Sequence, residues 1–287
     1  MKTFIQLLKA IGFVFAYFVV VVLVGQLFPT ATDVKPDASA MGALMLHILV
    51  NSFFIIYLLK RLSLHGFRLI AATALSVYGI QIYMTQIETW VFIDSFPSIT
   101  PKWLANIFIG NFVQTVVITL VGYFLWKPAT KTEISSFKAM ISRDMWWKLA
   151  LLSVLYMILY FVFGSIVPWR FEVVRNFYHT SVITIGNTEL AFIQIARGAL
   201  WVLFCLPVLF NLKGGKTERY IIVSLMMALL PTILLLMPNS LMPFPIRMAH
   251  FVEIFFSNGI FGLCIAGLLD SRKLNRNPDT ITVAEQS

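Results

Sequence analysis

Hydrophobic and polar positions in this chain come in blocks. Eight apolar runs of about 20 residues, the length that crosses ~30 Å of hydrocarbon as a helix, are separated by short polar, basic or proline-containing stretches. The runs predict helices over 4–27, 40–59, 69–93, 104–126, 149–167, 191–210, 220–237 and 246–269. A β-barrel would need alternating segments of about ten residues, and the sequence has none. The expected fold is an all-α integral membrane protein, a bundle of about eight transmembrane helices with both termini cytoplasmic. Residues 1–270 form one transmembrane domain, and 271–287 form a polar, disordered tail. The first run is longer than the core of a signal peptide and reads as a retained helix.

The connections sharpen this layout. With the N-terminus inside, 16 Lys and Arg fall on the inner side and 5 on the outer, with Arg197 inside a run. That bias sets the orientation and requires an even number of spans. The longest inner connection ends in Met145, Trp146 and Trp147, and its 135–147 stretch reads as an amphipathic helix on the inner surface. The longest outer connection, 168–189, carries Trp169, Phe171, Phe177, Tyr178 and His179. It reads either as a lid over an outer cavity or as an aromatic loop resting on lipid.

Polar residues inside the apolar runs carry the functional signal, because an ionisable group in hydrocarbon is costly and turns toward protein or a watered cavity. The last run holds Arg247, His250, Glu253 and Asn258, with 247, 250 and 253/254 on one helical face. At 1.5 Å per residue, His47, Glu88, Asn111, Arg197, His250 and Glu253 all lie about 6–10 Å from the outer ends of their runs, with Asn51 one turn below His47. In the third run Tyr78, Gln81, Thr85 and Glu88 form one stripe; in the fifth, Ser153, Tyr156 and Tyr160 share a face. The candidate cluster is Glu88, Arg197, His250 and Glu253, supported by His47, Asn51, Gln81, Asn111, Arg247 and Asn258, with Arg197 clamping one or both carboxylates.

Composition excludes several classes. Apolar residues make up 59% of the chain and charged residues 12%, at a mean hydropathy of +0.84, which is too apolar for a soluble domain of this size. The net charge of +9 reflects basic loops that set topology, not a nucleic-acid surface. Cys205 and Cys264 lie inside apolar runs at no metal-ligand spacing and read as small buried side chains. Lys213-Gly-Gly-Lys216 lacks the spacing of a phosphate loop.

Three chemistries suit the polar cluster. It can bind or transport a small polar or anionic ligand through Arg197, with Glu88 or Glu253 exchanging protons. It can be a membrane-embedded enzyme acting on a lipid or peptide, with His47, His250 and Glu253 as candidate metal ligands, although His250-Phe-Val-Glu253 is not the H-E-x-x-H motif. It can hold haem between His47 and His250. A fourth reading is structural, with ion pairs that only fix helix register. No cofactor is assigned by the sequence. The expected partners are the lipid bilayer of the inner membrane and a small molecule.

Met237-Pro-Asn-Ser-Leu-Met-Pro243, the Arg247/His250/Glu253/Asn258 series, Gln86-Ile-Glu88 and Arg197-Gly-Ala-Leu-Trp201 together resemble a group of uncharacterised bacterial multi-spanning membrane proteins. The resemblance implies a helical membrane fold over most of the chain and no particular activity. The paired-glutamate motif of CAAX-type intramembrane proteases is absent, since Glu88 stands alone before Thr89.

Overall fold

The computed structural model describes residues 2–30, 37–96, 98–126, 143–181, 185–239 and 241–270. Among them are ten α-helices: α1 (Lys2–Leu27), α2 (Ala38–Arg61), α3 (Gly66–Tyr78), α4 (Met84–Val91), α5 (Pro101–Trp126), α6 (Arg143–Ile166), α7 (Glu172–Ser181), α8 (Asn187–Asn211), α9 (Lys216–Thr232) and α10 (Phe244–Leu269). A π turn, Gly79–Tyr83, joins α3 and α4 into one continuous rod. Eight rods are long and apolar enough to cross a membrane. Each expected run is present, and most extend a few residues further at their polar ends, because N-cap and interfacial residues belong to the helix without being apolar.

Two expectations change. Residues 143–147 begin α6 and do not lie in a separate surface helix; 135–142 and the 271–287 tail fall outside the described residues. Within the 168–189 connection, the described residues include a 3-10 turn, Pro168–Arg170, and the helix α7.

The most extensive helix contacts are those of α9 with α10, α6 with α8 and α1 with α5. Gly198 lets α8 approach α6 closely: a Cβ there would lie 2.8 Å from Ser153 Cα and 2.9 Å from Tyr156 Cβ. Gly262 does the same for α10 on α9, where a Cβ would lie 2.7 Å from Ser224 Cα. Beneath these contacts runs one core that includes Phe13, Tyr17, Phe54, Trp201 and Phe261.

The two ends of the bundle differ. At the basic end, Arg61 pairs with Glu218 at 2.6 Å, and Tyr57 also donates to Glu218. Arg219 pairs with Asp270 at 2.8 Å and donates to the Gly214 carbonyl. A short antiparallel bridge, Leu62 to Leu212, ties the α2–α3 and α8–α9 turns together. At the opposite end α7 lies across α10, burying Val174 against Ile246 and Ala249 with Phe177 and Tyr178 alongside.

Candidate functional site

Arg197 sits on α8 and is 4% exposed. Its guanidinium donates to Glu88 Oε2 on α4 at 3.2 Å, to the Met84 carbonyl at 3.3 Å and to Gln194 Oε1, one turn back on α8, at 2.9 Å. The Tyr156 ring of α6 lies beside it, 6.0 Å from Cζ to centroid. The Glu88 side chain is 34% exposed, so one partner of this ion pair reaches out of the core and the other does not.

His250 and Glu253 lie one turn apart on α10, as their spacing requires. His250 Nδ1 is 2.7 Å from Glu253 Oε2, and its Nε2 is 2.7 Å from the Tyr178 hydroxyl on α7. The other carboxylate oxygen of Glu253 faces Gly164 on α6, where a Cβ would lie 3.4 Å away. Burial, with the Glu88 and Glu253 carboxylates adding to it, pushes the Tyr178 phenol well above its usual range. With the imidazole neutral, the phenol donates to Nε2 and the imidazole hydrogen sits on Nδ1 facing Glu253. The two pairs share one electrostatic neighbourhood: the charge of Glu88 acts on His250, and Tyr160 of α6 lies in the field of Glu88, Arg197 and Glu253.

The four central candidates thus form two pairs, Arg197 with Glu88 and His250 with Glu253, of which the second is bonded to α7, and the supporting residues belong to neither. Arg247 donates to the Leu235 and Met237 carbonyls and packs on Phe244, so it caps the 3-10 turn after α9. Gln81 ties the π turn to the Leu230 carbonyl of α9. Asn111 donates to Ile107 of its own helix, and Asn51 to the His47 carbonyl. His47 packs edge-on against Tyr17 of α1, and its partners include no residue of the His250 set. Asn258 is buried on α10, more than a turn beyond Glu253. The expected stripe Tyr78–Gln81–Thr85–Glu88 fans out, with Tyr78 to α5, Gln81 to α9 and Glu88 to α8. The wider π turn breaks the 3.6-residue phase on which the stripe was drawn.

Metal and haem chemistry finds little support in this donor set. Both ring nitrogens of His250 are engaged, and among the described residues no three His, Cys, Asp or Glu side chains come together. An open apolar groove of about 570 Å³ runs between α6 and the start of α8, past Met157, Phe161 and Phe192, and none of the cluster lines it.

The sequence reading missed Tyr178, Gln194 and Gly164 as site residues. Tyr178 had a usable signal: Val174, Phe177 and Tyr178 follow the i, i+3, i+4 spacing of a packed helical face inside what read as a loop. Comparison with known proteins finds no match, whether to a family model, a curated protein or a solved structure. Function therefore rests on the site itself.

Proposed function

We propose that this chain is a multi-pass inner-membrane protein whose outward-facing site binds, and carries across, a small polar or anionic ligand. The basic end is cytoplasmic in this reading and the α7 end faces out, in keeping with the excess of Lys and Arg on the inner connections. One observation carries the ligand class. Arg197 is buried, and its acidic partner Glu88 is one-third exposed. A carboxylate or phosphate arriving beneath α7 can replace Glu88 on the guanidinium fork, whose planar donors suit both groups. Glu88 then acts as the anion that holds the site when it is empty.

The test is a thermal-shift panel on the detergent-purified protein with inorganic phosphate, monocarboxylates and dicarboxylates at millimolar concentration. At least one class should raise Tm in the wild type and not in Arg197→Gln. No stabilisation by any member, with Arg197→Gln lowering only the folded yield, would make the pair a helix clamp and overturn the proposal. A second reading, a membrane-embedded enzyme, draws on the hydroxyl–imidazole–carboxylate order of Tyr178, His250 and Glu253.

A further inference from the structure

His250 and Glu253 together have room for one proton more than they hold. In one form a neutral imidazole donates from Nδ1 to the carboxylate, and the pair carries one negative charge. In the other an imidazolium faces the carboxylate, and the pair is neutral. Both forms keep the 2.7 Å contacts on the two ring nitrogens, because only the phenol hydrogen of Tyr178 has to turn. Glu88 and Arg197 cancel each other. The charge of the whole site is therefore set by one proton, in surroundings where a net charge is costly.

The groups facing this pair are few. Tyr178 comes from α7, Tyr156 and Tyr160 from α6 and Glu88 from α4, and Arg197 of α8 lies beside the same Tyr156. On α10 itself Arg247 is turned to the Leu235 and Met237 carbonyls. On α9 the charged side chains Lys216, Glu218 and Arg219 lie at the basic end, the last two in ion pairs, and Arg170, Glu172, Arg175 and His179 on and beside α7 are exposed. The charge of Glu88 acts on His250, so an anion that takes its place on Arg197 leaves the site more negative.

We propose that His250 and Glu253 form the proton site of this protein, and that this proton is taken up together with the anion held at Arg197. The inference rests on the anion reading above. Coupling of this kind is reciprocal: the anion raises the proton affinity of His250, and the proton raises the affinity for the anion. Tyr178 is the route. A proton arriving from the α7 side binds the phenol oxygen as the phenol's own proton passes to Nε2. The phenol is regenerated, the imidazole becomes imidazolium and Glu253 stays a carboxylate.

Ring-nitrogen NMR of histidine-labelled protein in lipid nanodiscs tests this, with the His250 signal assigned by its loss in His250→Gln. His250 should gain one proton as the pH is lowered. Arg197→Gln leaves Glu88 uncompensated, as a bound anion would, and should raise the proton affinity of His250 at least about tenfold. Glu88→Gln should lower it, and this second variant keeps the test decisive if the first fails to fold. A histidine that never titrates, or a midpoint that neither variant moves, would overturn the proton site. Inorganic phosphate separates the two claims. If phosphate stabilises the protein through Arg197 and leaves the His250 midpoint in place, the coupling fails and the anion reading stands. If the midpoint answers to both variants while no anion stabilises the protein, the anion reading falls and the coupling with it.

Discussion

Arg197 and Glu88 show how burial makes an ion pair unequal. Removing Glu88 strands a guanidinium that is 4% exposed; removing Arg197 strands a carboxylate that is one-third exposed at the protein surface. Breaking a buried pair costs about 3–5 kcal/mol when the remaining charge stays buried, and much less when water can reach it. Glu88→Ala should therefore lower stability by about 3 kcal/mol and Arg197→Met by about 1 kcal/mol, read from melting in detergent. Equal losses would mean that Arg197 gains as much from Gln194 and the Met84 carbonyl as from Glu88. These central residues were legible in the sequence, because an ionisable side chain inside an apolar run must find a partner. The direction of a long side chain was not. Arg247 shares a face with His250 and Glu253, yet it turns to carbonyls ten and twelve residues upstream.

Elements hold the site through close helix contacts. Gly198 and Gly262 stand where a methyl group would enter the neighbouring backbone, so Gly198→Ala and Gly262→Ala should each cost about 1–3 kcal/mol by forcing α6 from α8 or α9 from α10. Gly198→Ala should also weaken anion binding, since it displaces Tyr156 beside Arg197. Gly42→Ala, in open space on α2, should be neutral or slightly stabilising. If all three melted alike, close packing would not explain these glycines. Helix number and length were readable from run length alone. The π turn was not, because Gly79–Tyr83 carries no mark that separates it from ordinary helix, and it redirects every polar residue after it. Nor was α7, whose low hydropathy hid a packed face inside a connection.

The whole molecule is a helical bundle whose two ends are built differently among the described residues. Ion pairs and a backbone bridge fasten the basic end, and α7 covers the other largely by packing on α10 and through the Tyr178–His250 bond. The slab of polar residues read at one depth divides in two. Glu88 pairs with Arg197 and His250 with Glu253, the second pair bonded to α7, while His47 and Asn51 join Tyr17 among the core-packing residues. Depth along a helix can be counted from a sequence, but the direction a residue faces depends on neighbours that a single chain does not announce.

The central claim, an outward-facing site covered by α7, is tested most directly by thiol labelling in intact cells. Tyr160→Cys, with Cys205 and Cys264 replaced by alanine, is treated with a membrane-impermeant maleimide, with and without Tyr178→Phe. Losing one hydrogen bond of about 1 kcal/mol should raise the exposure of residue 160 roughly fivefold. The account expects slow labelling from outside that speeds up by about that factor in the Tyr178→Phe background. Labelling only after the membrane is opened, or at a rate Tyr178→Phe does not change, would contradict it.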